Sequence, residues 1–513
     1  MQVSDENENP DPVLTTCREI FGIPYPFPWQ RLIIASVLDA VLTGTGETEE
    51  YEKLRQIAVL PTGAGKSLCW MLPAVLIEGL TIAVFPLLSL MADQKRRLDE
   101  AGINSVTLQG GLNRDEKTQL WSALESHQVK ILLANPEILL SSDVSRRLEL
   151  LKPRFLVIDE THTVTQWGES FRPACGELGS LVECWNPKAV LALTATAGPQ
   201  IRERLTHLLF NGEKPTEALA NPDRPEIHYG VLPVLSRNHT LERLVRTEAH
   251  PLIVFGSTRS SVERAARMLR NRLASPEIRF YHAGLSREEK ARLEKWFMNS
   301  TNGVLCATCA YGMGVDKKNI RTVIHLAPPA STEAYLQESG RASRDGKGAK
   351  AWLIWTPEDL NNLEDLRSSL TIEPAAKTET VVRSRRIAMI RYVSSTDRCR
   401  RVMLLNALGI DNQDCSGCDV CGGEPWKTAP EEKIILKVIR WNRGRFRKGK
   451  LARILIGRRT AEIRRPGLDT VRGFGALAGW ELEDAEEAIS VLCRIGKLGC
   501  RKFGPAGKLR PFR

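Results

Sequence analysis

No apolar run in these 513 residues reaches the roughly 18 needed for a membrane-spanning helix. No membrane partner is therefore expected. The chain also lacks the basic start and apolar core of an export signal. Its opening is polar and acidic, and residues 1–13 are expected to be a disordered lead-in. A disulfide framework is missing too. Of twelve cysteines, Cys17, Cys69, Cys175, Cys184, Cys306, Cys309, Cys493 and Cys500 are scattered, several of them inside apolar runs. There a thiol acts as a small buried hydrophobe. Only four cluster. With no export signal the compartment reads as reducing and cytoplasmic, and the cluster as a metal site rather than disulfides.

Most of the chain also lacks net charge. The last 87 residues hold 22 Lys+Arg against 9 Asp+Glu, leaving 50 against 52 for everything before them. The whole basic excess sits in one C-terminal module, which suits a phosphate backbone. Charge alone is equally consistent with a solvated basic face. The length predicts three or four domains, each large enough for its own core.

What is present begins with a phosphate loop. Ile57-Ala-Val-Leu60 reads as a strand, followed by Pro61-Thr-Gly-Ala-Gly-Lys-Ser67 and an apolar helical pattern through Leu68, Met71, Leu72 and Val75. Gly63 and Gly65 let backbone N–H groups turn inward around phosphate oxygens. Lys66 is placed to reach the β- and γ-phosphates of ATP, and Ser67 to ligate Mg²⁺. A buried strand, Phe155-Leu-Val-Ile158, ends on Asp159 and Glu160. Carboxylates at the end of a parallel strand suit a metal-bound phosphate, with Asp159 holding Mg²⁺ and Glu160 polarising the attacking water. Just beyond, Trp167, Phe171 and Arg172 are residue types that stack on and bind nucleic-acid bases. Strand-like runs at Thr81-Ile-Ala-Val-Phe85, Val129-Lys-Ile-Leu-Leu133 and Ala189-Val-Leu-Ala-Leu193 complete a doubly wound α/β pattern.

After Asn221-Pro-Asp-Arg-Pro225, a turn-rich break, the alternation restarts at Leu252-Ile-Val-Phe255, Ile278-Arg-Phe-Tyr281, Val304-Leu-Cys-Ala307 and Thr322-Val-Ile-His325. There is no second Gly-Lys-Ser, so this half is not expected to bind its own nucleotide. It carries Gln337-Glu-Ser-Gly-Arg-Ala-Ser-Arg344, read as helical. Three-residue spacing puts Arg341 and Arg344 on one helix face. Aimed at a γ-phosphate they would serve as arginine fingers; seen alone, such spacing usually marks a surface salt-bridge ladder.

Cys399, Cys415, Cys418 and Cys421 supply four thiolates in a polar loop, with two C-x2-C steps. This suits a closed tetrahedral Zn²⁺ site with a structural role. Four thiolates also suit an iron–sulfur cluster. Residues 431–499 show helical patterning, and a hairpin follows around Gly504-Pro-Ala-Gly507. Helices before a basic hairpin suggest a winged helix. Arg443, Arg445, Arg447, Lys448 and Lys450 would contact duplex phosphates. Phe503 would wedge at a fork or pack under the wing.

These signatures, in this order, resemble the RecQ family of superfamily-two DNA helicases. The likeness runs from about residue 21 to at least Cys421, and more weakly to the end. Leu60-Pro-Thr-Gly-Ala-Gly-Lys-Ser-Leu-Cys69 is similar to motif I and Phe85-Pro-Leu-Leu-Ser-Leu-Met-Ala-Asp-Gln94 to motif Ia. Asp159-Glu-Thr-His162 resembles motif II, and Gln166-Trp-Gly with Phe171-Arg-Pro173 the aromatic-rich loop. Ala192-Leu-Thr-Ala-Thr-Ala197 resembles motif III. Tyr281-His-Ala-Gly-Leu-Ser286 and Ala307-Thr-Cys-Ala-Tyr-Gly-Met-Gly-Val-Asp316 match the second domain, and residues 337–346 resemble motif VI.

The resemblance implies an α/β chain of two RecA-like doubly wound domains (residues 14–215 and 216–356). A helical zinc-binding module (357–425) and a basic winged-helix domain (426–513) would follow. Because the sequence stops after the basic hairpin, the small C-terminal accessory domain of many family members is not expected. The implied activity is that of an ATP-dependent 3′→5′ DNA helicase that translocates on single-stranded DNA and unwinds duplex in repair, recombination or genome defence, with single-stranded and forked DNA as its partners. Single-strand-binding or other DNA-processing proteins would be partners of a monomer. In a bacterium the place would be the nucleoid. Thr62, Gly63, Gly65, Lys66, Ser67, Asp159 and Glu160 would bind and hydrolyse ATP, with Gln30 gripping the adenine edge. Arg344 is the implied finger and Arg341 its support. His162, Thr194 and Thr196 would couple hydrolysis to domain closure. Trp167, Phe171 and Arg172 would report single-stranded DNA to the ATP site.

Several residues depart from the family pattern. Phe27 replaces an arginine in the adenine segment, so that Phe27 or Trp29 stacks on the base or nucleotide selectivity relaxes. Thr161 stands for Ala, Ser339 and Ser343 for Ile and Gly, and Glu169 for His in the sensor loop. An acid there would repel DNA phosphate or retune coupling. Two competing readings are an RNA helicase of the DEAH type and a DNA-stimulated ATPase subunit of a larger complex with little unwinding of its own.

Overall fold

The computed structural model describes residues 11–42, 53–61, 63–161, 173–309, 311, 317–359, 377–411, 414–500 and 509–511. The chain divides into two compact units. One holds residues 1–223 with 408–410; the other holds Arg224–Ala407 and Asp411–Arg513.

The first unit is built on seven parallel strands: β1 (Leu54–Val59), β2 (Thr81–Val84), β3 (Ser105–Leu108), β4 (Ile131–Ala134), β5 (Phe155–Ile158), β6 (Ala189–Thr194) and β7 (Thr216–Leu219). Their order is β3-β4-β2-β5-β6-β1-β7. The central strands are fully buried and read as unbroken apolar runs, because helices cover both faces of a parallel sheet. β5, β6 and β1 are neighbours, with Val59 opposite Thr194 and Ile158 opposite Ala192. Their carboxyl ends therefore bring three loops to one edge, where α/β sheets bind ligands. Strand β7 pairs with β1 of this sheet. The sequence division at 215/216, which gives it to the second domain, falls eight residues before the break between the two units.

The second unit contains six parallel strands: β8 (Ile227–Pro233), β9 (Leu252–Phe255), β10 (Ile278–Tyr281), β11 (Val304–Ala307), β12 (Thr322–His325) and β13 (Ala349–Trp355). Their order is β10-β11-β9-β12-β13-β8. β8 and β13 lie in full register, and a Cβ on Gly230 would fall 2.2 Å from the Trp352 ring, so only glycine fits there. The same unit includes the helix Lys377–Ser394, the cysteine loop and the basic module. That module packs helices Pro430–Trp441, Lys448–Ile456 and Leu482–Arg494 around Ile435, Val438, Leu455, Ile489 and Leu492. It ends in the antiparallel strands β14 (Leu498–Cys500) and β15 (Leu509–Pro511), the two arms of the expected hairpin. Among the described residues no helix is long and apolar enough to cross a membrane.

Candidate functional site

Gly65 sits at φ +71 and caps the helix Lys66–Leu76. The positive φ favours glycine, and a Cβ there would lie 2.4 Å from Gln30 Nε2 and push that amide off the loop carbonyls. Gln30 is buried. Its Nε2 donates to the carbonyls of Ala64 (3.0 Å) and Gly65 (3.1 Å), and its Oε1 accepts from Phe27 N–H at 2.8 Å. Gln30 is the third residue of the helix Pro28–Leu42. It reaches back to the N-cap backbone, as half of a capping box does.

The Lys66 ammonium lies 3.5 Å from Glu160 Oε1, with both side chains about one-seventh exposed. Asp159 is buried and its Oδ1 accepts from Glu160 N–H at 2.8 Å. Glu160 itself takes φ +48, a left-handed backbone that costs a non-glycine residue on the order of 1 kcal/mol or more. Thr161 is fully buried, and both its N–H (2.9 Å) and its hydroxyl (3.1 Å) donate to the Leu193 carbonyl. The hydroxyl at a position where the family has Ala is thus satisfied, and it ties the carboxylate turn to β6. Leu60 N–H donates to the Thr194 carbonyl at 2.9 Å, and Thr194 Oγ1 bonds Thr196. Phosphate loop, carboxylate pair and threonine pair are one hydrogen-bonded edge. Thr62, His162, Trp167, Glu169, Phe171, Arg172 and Phe503 lie outside the described residues.

The placement of Arg341 and Arg344 on one helix is corrected. The helix Thr332–Ser339 ends before them, and Ser343 adopts φ +57. A left-handed residue cannot continue a right-handed helix. Ser339 Oγ donates back to the Tyr335 carbonyl at 2.6 Å, and Ser343 Oγ bonds the Lys347 carbonyl. Both hydroxyls that depart from the family pattern are therefore used locally. The unwound carbonyls are collected by Arg224, a residue sequence reading passed over as part of a turn. Its guanidinium donates to Gly340 (3.0 Å), Ala342 (3.1 Å) and Ser343 (2.7 Å). The preceding Asn-Pro-Asp was the only signal. Arg321 pairs with Asp345 through both oxygens and holds that carboxyl down, to about 2. Arg341 is buried and Arg344 half-buried. Arg224→Ala should cost this unit about 1.5–3 kcal/mol, the range for hydrogen bonds to a charged group. A urea midpoint that does not move would show that the Arg224 bonds add nothing to stability.

The four cysteines do converge. One sulfur atom from each of Cys399, Cys415, Cys418 and Cys421 lies within 4.8 Å of all the others, and Cys418 and Cys399 are 4.0 Å apart. Tetrahedral bonds of about 2.3 Å put sulfurs about 3.8 Å apart, so the set fits zinc. Cys421 N–H donates to the Cys418 sulfur at 3.4 Å. The loop also closes the open side of β8. Tyr229 bridges Cys418, Asp419 N–H donates to the Tyr229 carbonyl at 3.0 Å, and Asp419 Oδ2 accepts from Val231 N–H at 3.1 Å. An exposed sheet edge invites mispairing, and this one is covered. Behind the loop, Arg400 is 1% exposed and donates to both Asp419 oxygens (2.9 and 3.3 Å) and to the Tyr392 carbonyl.

In the basic module Arg443, Arg445, Arg447, Lys448 and Lys450 are exposed, and Arg447 stands at the N-cap of the helix Lys448–Ile456. Arg458, Arg459, Arg464 and Arg465 add a second exposed basic group around the short helix Ala461–Arg464. Their two Arg-Arg pairs were visible in the sequence. The module is fixed within its unit by Arg272, which pairs with both oxygens of buried Asp484 (2.7 and 3.1 Å). Trp480 also stacks on His239 at 4.1 Å.

Comparison with known proteins gives four family models in chain order: DEAD/DEAH box helicase over residues 28–204, helicase conserved C-terminal domain over 236–346, RecQ zinc-binding over 357–422 and RQC domain over 428–504. The chain is 34% identical over 416 residues to the ATP-dependent DNA helicase RecQ of Pasteurella multocida, covering 81% of this chain and 63% of that protein. It is 33% identical over 373 residues to the protein of the same name from Haemophilus influenzae, covering 72% and 59%. The chain thus spans about three-fifths of the length of these relatives. Among solved structures, the DUF1998 helicase MrfA bound to DNA superposes with a TM-score of 0.55 at 20% identity, over 79% of this chain and 57% of that one, a likeness of fold. The two parallel sheets are RecA-like domains, and a zinc-binding module and a winged-helix RQC domain follow them. With the motifs in order and all four models matched in sequence, this chain belongs to the RecQ family of superfamily-two helicases.

Proposed function

We propose that the chain is an ATP-dependent DNA helicase that moves 3′→5′ along single-stranded DNA and opens duplex in repair, recombination or genome defence. The observation that carries this is the Lys66–Glu160 contact, with Asp159 beside it, at the carboxyl ends of β1 and β5, the two strands that flank β6. The phosphate loop, with Gly63, Gly65 and Ser67, cradles the triphosphate, and Lys66 exchanges Glu160 for phosphate oxygens when nucleotide arrives. Glu160, released from Lys66, orients the attacking water and takes its proton. Asp159 and Ser67 would hold Mg²⁺, which when bound neutralises phosphate charge. Arg344, with Arg341 beside it, meets the developing charge on the γ-phosphate during turnover. Arg445, Arg447 and Lys448 grip duplex phosphates, and Trp167, Phe171 and Arg172 contact the tracked strand. The setting is cytoplasmic, on the nucleoid in a bacterium.

Support for zinc comes from the converging thiols and the stitching of their loop to β8. Chelation should lower the thermal midpoint of the second unit, since metal affinity here is folding energy. A metal-free preparation of unchanged stability would refute it.

The test of the function is ATP hydrolysis by the full chain with single-stranded DNA, single-stranded RNA or neither. DNA should raise turnover severalfold and RNA should not. Equal stimulation by RNA would favour the DEAH-type reading, and indifference to DNA would sink the motor.

A further inference from the structure

The turn that carries Arg341 and Arg344 is held by a short segment at the start of the second unit, and the cysteine module grips that segment in turn. Arg224 is the link. Its two terminal nitrogens donate to the carbonyls of Gly340, Ala342 and Ser343, and its Nε donates to Glu226 at 2.6 Å. All three nitrogens of the fork are used, which fixes its plane. The backbone around Arg224 is tied from the other side. Arg401 donates to the carbonyls of Arg224 (3.0 Å) and Ile227 (2.6 Å), and Ser416 Oγ donates to that of Pro225 at 2.6 Å. Arg401 is 1% exposed and stands in the first turn of the helix Arg400–Ala407, directly after Cys399. Ser416 lies between Cys415 and Cys418. Three carbonyls of the segment Arg224–Ile227 thus end on donors from the cysteine module.

We infer that Arg401 is a positioning residue for ATP hydrolysis: through Arg224 it sets the turn that presents Arg344, so the cysteine module governs turnover as well as folding. This rests on the arginine-finger reading above. The turn has no helical ladder of its own. The helix Thr332–Ser339 has ended, and Ser343 is left-handed. Its shape therefore depends on donors from outside, and Arg224 supplies them at three consecutive positions but one. A guanidinium that must meet charge on a γ-phosphate tolerates little displacement, since a shift of about 1 Å can cost on the order of 10²-fold in rate. Releasing the backbone of Arg224 moves the fork, and the fork moves the turn.

The test is steady-state ATP hydrolysis by the full chain with Mg²⁺ and saturating single-stranded DNA, well below the unfolding midpoint of each variant. Arg401→Met keeps apolar bulk and removes the donors. It should lower kcat by about 10- to 100-fold and leave the KM for ATP within about twofold, because the phosphate loop is untouched. Zinc content should match that of the parent chain. If Arg401 acts through Arg344, the double variant Arg401→Met/Arg344→Ala should be no slower than Arg344→Ala alone. A merely structural loss would not give that result. Losses that multiply in the double variant would overturn the relay and leave the finger standing. So would a normal kcat in Arg401→Met beside a slow Arg344→Ala. Normal turnover by Arg344→Ala would discard finger and relay together. Should Arg401→Met fail to fold or lose its zinc, Arg224→Lys decides by the same cycle. Its side chain is partly exposed, so the variant is expected to fold, and an ammonium cannot span three carbonyls and Glu226 at once.

Discussion

Glu160→Gln should lower DNA-stimulated ATP hydrolysis by about 10²-fold or more, the usual weight of a general base, while ATP binds at least as tightly as before. The two effects have opposite signs for one reason. The Glu160 carboxylate sits 3.5 Å from the Lys66 ammonium, so it competes with phosphate for that cation. The amide keeps the size and shape but removes the charge. Lys66 is then available to the triphosphate, and no group remains to take the water's proton. Lys66→Ala should lose both binding and hydrolysis. Single-turnover kinetics with equilibrium nucleotide binding separate the cases. Normal hydrolysis by Glu160→Gln would remove Glu160 from the chemistry.

Arg400→Ala should destabilise the second unit by about 3–5 kcal/mol, because it leaves the Asp419 carboxylate buried without its cation. Arg400 and Asp419 side chains are 1% and 5% exposed, so solvent cannot replace the partner. Asp419 also holds Val231 and Val420 N–H groups at 3.1 and 2.8 Å, so the loss spreads to β8 and the cysteine loop. Chemical denaturation followed by released zinc should show a lower midpoint. The double variant Arg400→Ala/Asp419→Ala should recover part of the loss, because neither charge is then stranded. A single-variant cost below about 1 kcal/mol would mean the pair behaves as an exposed one.

Strands were legible where burial made them uniformly apolar. β5, β9, β10, β11 and β12 fall on the residues read as strands, and β1, β2, β4 and β6 differ by three residues or fewer at an end. β3, β7, β8 and β13 escaped notice. β3 and β7 are sheet edges, half-buried or exposed, with polar residues where a core strand has none. β8 carries Gly230 and Pro233, and Gly230 is explained only by Trp352 across the sheet, more than a hundred residues away. The phosphate loop, the carboxylate pair and the cysteine set were readable because each is defined by spacing. Arg224 was not, because its role is to satisfy carbonyls of a turn that sequence patterning had read as helix. Gln30 was legible as a nucleotide-side residue, but its capping and loop contacts required the backbone to be seen.

The most direct test of the motor is strand displacement on duplexes bearing a single-stranded tail at one end. With ATP, the full chain should open a 3′-tailed duplex and leave a 5′-tailed one closed, and Lys66→Ala should open neither. ATP-driven opening only from a 5′ tail, or vigorous DNA-stimulated hydrolysis with no opening of either substrate, would contradict it.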